Sequence, residues 1–369
     1  MRRSLLLAAT IASLTCGASL ADTTRTLRVS LAGDPAREFA VENLAGSMTV
    51  VAADVATVEA VATIHAESEE LAAAMGFEQV RGRDGTPTLR VVYPLDRERR
   101  IRFPGAGDEA GARGHERRHH WWSAFGWDSS ETTYDGHRVR VSESSGVLLF
   151  ADVEVRVPRR AVEATFRNLV GLLRADGIEG TVLLDTTHGD VIARHLDGEI
   201  KADTGSGDVR AEAIRGRFVC DTGSGACVVD GFDGRELSCD TGSGEVRVSG
   251  ARAERLVADT GSGGVRVERA DVEEFKGDTG SGEIEAELIG SRLRRVIADT
   301  GSGGVVLRLP ADASFEVSAD QGSGGLECSF RDAQPVIHDK KVVGWRRADA
   351  RVRISIDTGS GDARVIPAA

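Results

Sequence analysis

Over the second half of the chain, apolar and polar residues alternate on both sides of a short glycine-rich stretch, and the whole unit recurs. The stretch reads DTGSG at 203, 221, 240, 259, 278, 299 and 357, DQGSG at 320 and DTTHG at 185. Three residues before its Asp stand Val182, Ile200, Phe218, Leu237, Leu256, Phe275, Val296, Val317 and Ile354. Directly before it stand Leu184, Ala202, Cys220, Cys239, Ala258, Gly277, Ala298, Ala319 and Ile356. The residue between those columns is mixed, as Lys201, Ser238 and Lys276 show. Six residues after the Asp the chain is apolar again, at Val209, Cys227, Val246, Val265, Ile284 and Val305, and the next residue is usually Arg or Glu. Alternation with a period of two predicts strands with one buried face on either side of a turn.

Successive Asp positions lie 18, 19, 19, 19, 21, 21 and 37 residues apart. A fixed period near twenty is the mark of a solenoid. A second corner follows eleven residues after the Asp, where Leu196, Ile214 and Phe232 are each followed two positions on by Gly198, Gly216 and Gly234. The frame also extends backwards, to 167–171 and to 42–46, where only parts of the motif survive. One coil buries five or so side chains worth ~1.5–3 kcal/mol each. It must order some twenty residues at about 1–2 kcal/mol apiece, so a single coil cannot fold alone and neighbours must supply the rest.

The predicted fold is therefore all-β: a parallel β-solenoid of about ten 18–21-residue coils over residues 147–369. It is preceded by an N-terminal β region, 22–146, with a long loop insertion at 104–137. Composition agrees, since 44 Gly and only 11 Phe, 4 Trp and 2 Tyr in 369 residues suit a thin, regular core.

Residues 1–21 read as a secretory signal: Arg2 and Arg3, an apolar run from Leu5 to Ala12, then Ser19-Leu20-Ala21 as a small-x-small cleavage site. No later segment is apolar enough to cross a membrane. The formal charge of −12 argues against nucleic acid as a partner. Export to a periplasm or the cell surface is expected, a setting that permits disulfides.

The N-terminal "VENLAGSMTVVA", the strand ending "VEVRVP" and the succession of "DTGSGDVRA"-like coils resemble the bacterial DUF4097 family of β-strand repeat proteins, often labelled adhesins. The resemblance implies an exported β-solenoid and carries over no catalytic residue. The segment 104–137 departs from the family's usual pattern.

Asp-Thr-Gly-Ser is also the signature of aspartic proteases. Such a site needs two carboxylates about 3 Å apart on facing loops, whereas coil spacing strings Asp203, Asp221, Asp240, Asp259, Asp278 and Asp299 along one edge, so a protease is rejected. In the turn reading, the Asp accepts hydrogen bonds from backbone N–H groups, the hydroxyls bridge rungs and the glycines permit positive φ. Carboxylates at 4.8 Å repel by about 0.9 kcal/mol in water, so either the turns or bound calcium must satisfy them. The acids at Asp208, Glu245, Glu283 and Asp362 favour calcium, and the Gly or Ala at 226, 264, 304 and 325 oppose it.

His115-Glu116-Arg117-Arg118-His119 matches the zincin HExxH pattern, but no amphipathic helical stripe supports it. The zincin reading is rejected, and adventitious metal binding by His115, His119 and His120 is favoured over it. Trp121, Trp122, Phe125 and Trp127 beside Arg113, Arg117 and Arg118 are the candidate interaction residues, with a cap on the solenoid as the alternative. Cys220 and Cys239 share an inward column and form either a disulfide or a ladder of buried thiols.

The functional expectation is a non-catalytic binding or adhesin-like scaffold of the cell envelope, with a protein or polysaccharide partner and no required cofactor. The rival is a calcium-dependent β-helix lyase acting on acidic polysaccharide through outward arginines such as Arg210, Arg247 and Arg266.

Overall fold

The computed structural model describes residues 23–31, 38–82, 85–104, 129–339 and 341–368. The signal segment 1–21 and the candidates His115, His119, His120, Trp121, Trp122, Phe125 and Trp127 lie outside the described residues. The chain is almost entirely strand and divides into two compact units, Met1–Ile192 and Ala193–Ala369. The expected boundary after residue 146 thus falls inside the first unit.

In the first unit the partial repeats near the N-terminus are true coil segments. Phe39–Ala45 runs parallel to Arg160–Val170, which runs parallel to Glu179–His188. Met48–Ala53 runs parallel to both Val147–Pro158 and Leu173–Asp176. The turn between Phe39–Ala45 and Met48–Ala53 needs glycine, because a Cβ on Gly46, at φ 120°, would overlap the Ala151 carbonyl. Antiparallel strands flank these coils: Gly76–Arg81 pairs with Pro87–Val92, and Thr23–Ser30 pairs with Glu59–Ala66. Ser129–Tyr134 forms a hairpin with His137–Ser142. The last nine residues assigned to the 104–137 loop, 129–137, are therefore all strand and turn. Their alternation is too short and too rich in Ser and Thr to stand out as a strand from sequence.

In the second unit the repeat builds coils in parallel register, with bulges such as the one between Gly216 and Arg217 taking up the difference in coil length. Asp197–Ser206, Val209–Thr222, Cys227–Thr241, Val246–Thr260 and Val265–Thr279 stack so that motif Asp lies beside motif Asp and motif Thr beside motif Thr. The predicted apolar column is the core: Ile200, Phe218, Leu237, Leu256, Phe275 and Val296 are at most 2% exposed. The four long strands from Val209–Thr222 to Val265–Thr279 bend at the second corner through left-handed residues, Ala213, Gly231, Gly250 and Arg269, and His195 takes the same conformation just before Asp197–Ser206, with φ between 50° and 74°.

The last coils do not stack in sequence order. Arg295–Thr300 pairs with Val352–Thr358, which pairs in turn with Phe315–Gln321. On the other side of the turn, Val305–Leu309 pairs with Ala363–Pro367, which pairs with Leu326–Cys328. The chain skips a place after Leu309, makes the terminal coil, and returns to fill the gap with residues 352–367. Between the two, Gln334–His338 and Lys341–Arg347 form a hairpin whose second strand runs antiparallel along the outer edge of Phe315–Gln321. That covers an edge that would otherwise offer unpaired backbone groups. Phe330 packs edge-on against Phe315, with Arg347 over its ring, to close this end of the core.

Candidate functional site: the DTGSG edge

The turn is organised by its threonine. Thr222 Oγ1 donates to the Gly207 carbonyl of the preceding coil (2.9 Å) and accepts from Gly225 N in its own turn (3.1 Å). The same two bonds recur at Thr241, Thr260, Thr279 and Thr300. These hydroxyls are almost fully buried. The role expected of Asp, accepting from the turn's backbone, thus belongs to Thr, because the strand's alternation points Thr inward and Asp outward.

The positive φ expected of the motif glycines is confined, among the described DTTHG, DTGSG and DQGSG motifs, to Gly189 and Gly207, and the glycines are required chiefly by stacking. A Cβ on Gly225 or Gly244 would overlap the carbonyl of Gly207 or Gly225 respectively, so successive turns sit backbone on backbone.

The outward Asp column follows the stack: 203, 221, 240, 259, 278, 299, 357, 320. Lys201 pairs with Asp203 at 2.7 Å and reaches Asp221 at 3.8 Å, and Lys276 pairs with Asp278 at 3.1 Å. Asp240, Asp259, Asp299, Asp357 and Asp320 have no salt-bridge partner among the described residues. Partial burial raises the pKa of Asp259 above its ordinary 3.8, the charges of Asp278 and Asp240 add to this, and Lys276 opposes it. Asp221 and Asp299 are raised in the same way, by burial first and then by the neighbouring motif carboxylates. In the first unit the equivalent column alternates in charge instead. Arg90 Nε lies 2.9 Å from Glu42, Arg167 Nη1 2.9 Å from Glu42, and Arg167 Nε 2.7 Å from Asp185.

The pKa shift fixes a direction. A carboxyl whose folded pKa exceeds its unfolded value contributes stability below the unfolded pKa and loses it as pH rises through the folded one. Asp259→Asn is therefore expected to be more stable than wild type at pH 7, by a few tenths to about 1 kcal/mol. The gain should shrink with added salt and vanish below about pH 4. Urea midpoints from pH 3.5 to 7 measure it; a gain independent of pH would contradict the repulsive ladder.

The position after the motif is the second acidic column, and its spatial order explains its composition. Reading along the stack gives Asp208, Ala226, Glu245, Gly264, Glu283, Gly304, Asp362 and Gly325, an acid on every second coil. Asp208 Oδ1 accepts from Ala226 N at 3.0 Å and Asp362 Oδ1 from Gly325 N at 2.9 Å. These acids therefore clasp the neighbouring small-residue turn. Among the described residues no three His, Cys, Asp or Glu side chains are arranged to hold a metal ion. Equivalent side chains in a parallel stack project side by side rather than converge.

The cross-link also departs from expectation. Cys220 bonds to Cys227, with Cα atoms 6.6 Å apart across the turn, and Cys239 stays a buried thiol. Cys220 and Cys239 are register partners, but such partners hold their side chains parallel about 4.8 Å apart. The two strands of one turn instead aim Cys220 and Cys227 at each other across the core. Burial pushes the Cys239 thiol up to about 12, and Cys328, half-buried, is raised less. Alkylation of the native protein is expected to label Cys328 well before Cys239, and both after unfolding without reductant; rapid native labelling of two thiols would contradict this.

Arg210, Arg247 and Arg266, weighed for catalysis, point outward but are engaged: with Asp208 at 2.8 Å, Glu245 at 2.9 Å and Glu285 at 3.3 Å.

Parallel coils closed by tight polar turns define a β-solenoid repeat protein. The sequence model of the Toastrack DUF4097 family matches residues 152–365, and the chain belongs to that family. No curated protein sequence matches it. Among solved structures it is similar to a candidate cell adhesion protein from Clostridium sporogenes, at 8% identity over 94% of this chain and 100% of that one, with a TM-score of 0.22. A candidate lipid binding protein from Parabacteroides distasonis matches at 11% identity over 92% and 96%, with a TM-score of 0.42. A candidate adhesin from Bacteroides fragilis matches at 8% over 95% and 100%, with a TM-score of 0.35. Among the described residues no helix is long and apolar enough to cross a membrane.

Proposed function

We propose that the protein is an exported, non-catalytic scaffold of the cell envelope that presents its repeated outer faces to a protein or polysaccharide there. The observation that carries this reading is the in-register repetition of exposed polar side chains along the stack. The Asp column recurs at each coil from Asp203 to Asp278, and beside it Arg210, Arg247 and Arg266 share one row that only Val228 interrupts. An array of this kind suits an extended ligand, whereas catalysis needs unlike groups converging on one reacting atom. The ligation of the first unit's column into Arg90, Glu42, Arg167 and Asp185 leaves the Asp-rich edge of the second unit as the more available face.

Trp121, Trp122, Phe125 and Trp127 are proposed as an aromatic contact element of the same scaffold. Deletion of 106–127 leaves the strand Ser129–Tyr134 intact and is expected to reduce envelope retention while sparing the fold. Fractionation of the native host, followed by cross-linking of the full chain, tests the whole reading. Recovery with an envelope component supports it; a cytoplasmic location, or turnover of polygalacturonate or alginate by the purified chain, would overturn it.

A further inference from the structure

Residues 352–367 enter the stack out of order, and the segment that delivers them is strained. The chain leaves Lys341–Arg347 on one edge of Phe315–Gln321 and re-enters as Val352–Thr358 on its other edge. Ser314 holds the crossover. Its hydroxyl donates to Asp349 Oδ1 (2.6 Å) and accepts from Arg351 N (3.3 Å), and its carbonyl accepts from Val352 N (2.9 Å). Within the crossover Ala348 and Ala350 have φ of 53° and 55°, a region in which the Cβ of an L-residue crowds its own backbone.

The slot that receives the coil is selective. Both of its edges bond in register, with Val305 N donating to Asp362 O and Ala363 N donating to Gly325 O, each at 2.9 Å. Gly304 and Gly325 stand on either side of Asp362, so a coil with an acid at that position fits between two that lack one. None of these contacts depends on which copy of the chain supplies the coil.

We propose that two copies of the chain exchange residues 352–367, each filling the other's slot, to form a dimer whose pairing within each stack is that of the monomer. Extending the crossover frees Ala348 and Ala350 from the left-handed region and so favours exchange, while the tethered coil's high effective concentration favours the monomer. Exchange breaks pairing on both edges of the coil, so the two forms interconvert slowly and separate on a column.

The test refolds an equimolar mixture of ¹⁵N-labelled and unlabelled full chain over a range of concentrations, sizes it by light scattering, and couples carboxylates with a dihydrazide. The expected result is a dimer fraction that grows with refolding concentration and contains mixed-isotope links from Asp357 to Asp299 or Asp320. The double variant Ala348→Gly, Ala350→Gly should lower the dimer-to-monomer ratio roughly tenfold. Monomer at every concentration, or a dimer in which those links join only copies of one isotope, would overturn the proposal. Should the double variant fail to fold, the isotope pattern of the wild-type chain decides alone.

Discussion

A chain that stops at Arg351 is expected to lose the cooperative unfolding of the end of the second unit, not merely its last coil. In a linear solenoid, removing the terminal coil costs one interface. Here residues 352–367 lie between two coils, so their removal breaks two. Val352, Ile354, Ile356 and Val365 are 6% exposed or less and together contribute on the order of 6–12 kcal/mol. That is comparable with the whole stability of an ordinary domain. Phe315–Gln321 and its covering strand Lys341–Arg347 would be left with no parallel partner. Limited proteolysis should cut between residues 310 and 347 in the truncated chain and spare the intact one. A truncated chain with an unchanged melting profile would show that the coil is an appendage.

Gly244→Ala is the second large effect expected. The added methyl would overlap the Gly225 carbonyl and crowd Ala226 N, all backbone atoms, so it can be accommodated only by prising two coils apart. A loss of about 2–4 kcal/mol follows, with the part-buried bond from Thr260 to the Gly244 carbonyl weakened as well. Gly250→Ala provides the contrast. That glycine has φ 65° but nothing within reach of a Cβ, and the cost should be about 1 kcal/mol. Denaturant midpoints of the two variants compare stacking, at Gly244, with left-handed backbone, at Gly250; a loss at Gly244 no larger than that at Gly250 would contradict the backbone-on-backbone contact.

Most of the fold was legible because a solenoid writes its core once per coil. The apolar columns through Ile200, Phe218 and Leu237 are buried as the alternation required, and the fragments at 42–46 and 167–171 are coil turns. Sequence order misled where the chain left it. Coil order is not a property of any single repeat, and nothing local to residues 352–367 says that they lie between their predecessors. One signal was present: the acid and small residues after the motif alternate perfectly only if 362 is placed between 304 and 325. The site was read less well. Which of two neighbouring polar residues faces inward fixes their roles, so Thr rather than Asp ties the turn, and Cys220 finds the sulfur across the core rather than the one beside it.

The motif turns of the second unit stack in one register, with the C-terminal coil between its two predecessors. Methyl NOE spectroscopy on Ile- and Val-labelled protein tests it most directly. Ile354 lies beside both Val296 and Val317, so cross-peaks from Ile354 to both valines are expected, with none between the valines themselves. A cross-peak joining Val296 to Val317, with Ile354 in contact with Val317 alone, would restore the sequential stack and contradict the account.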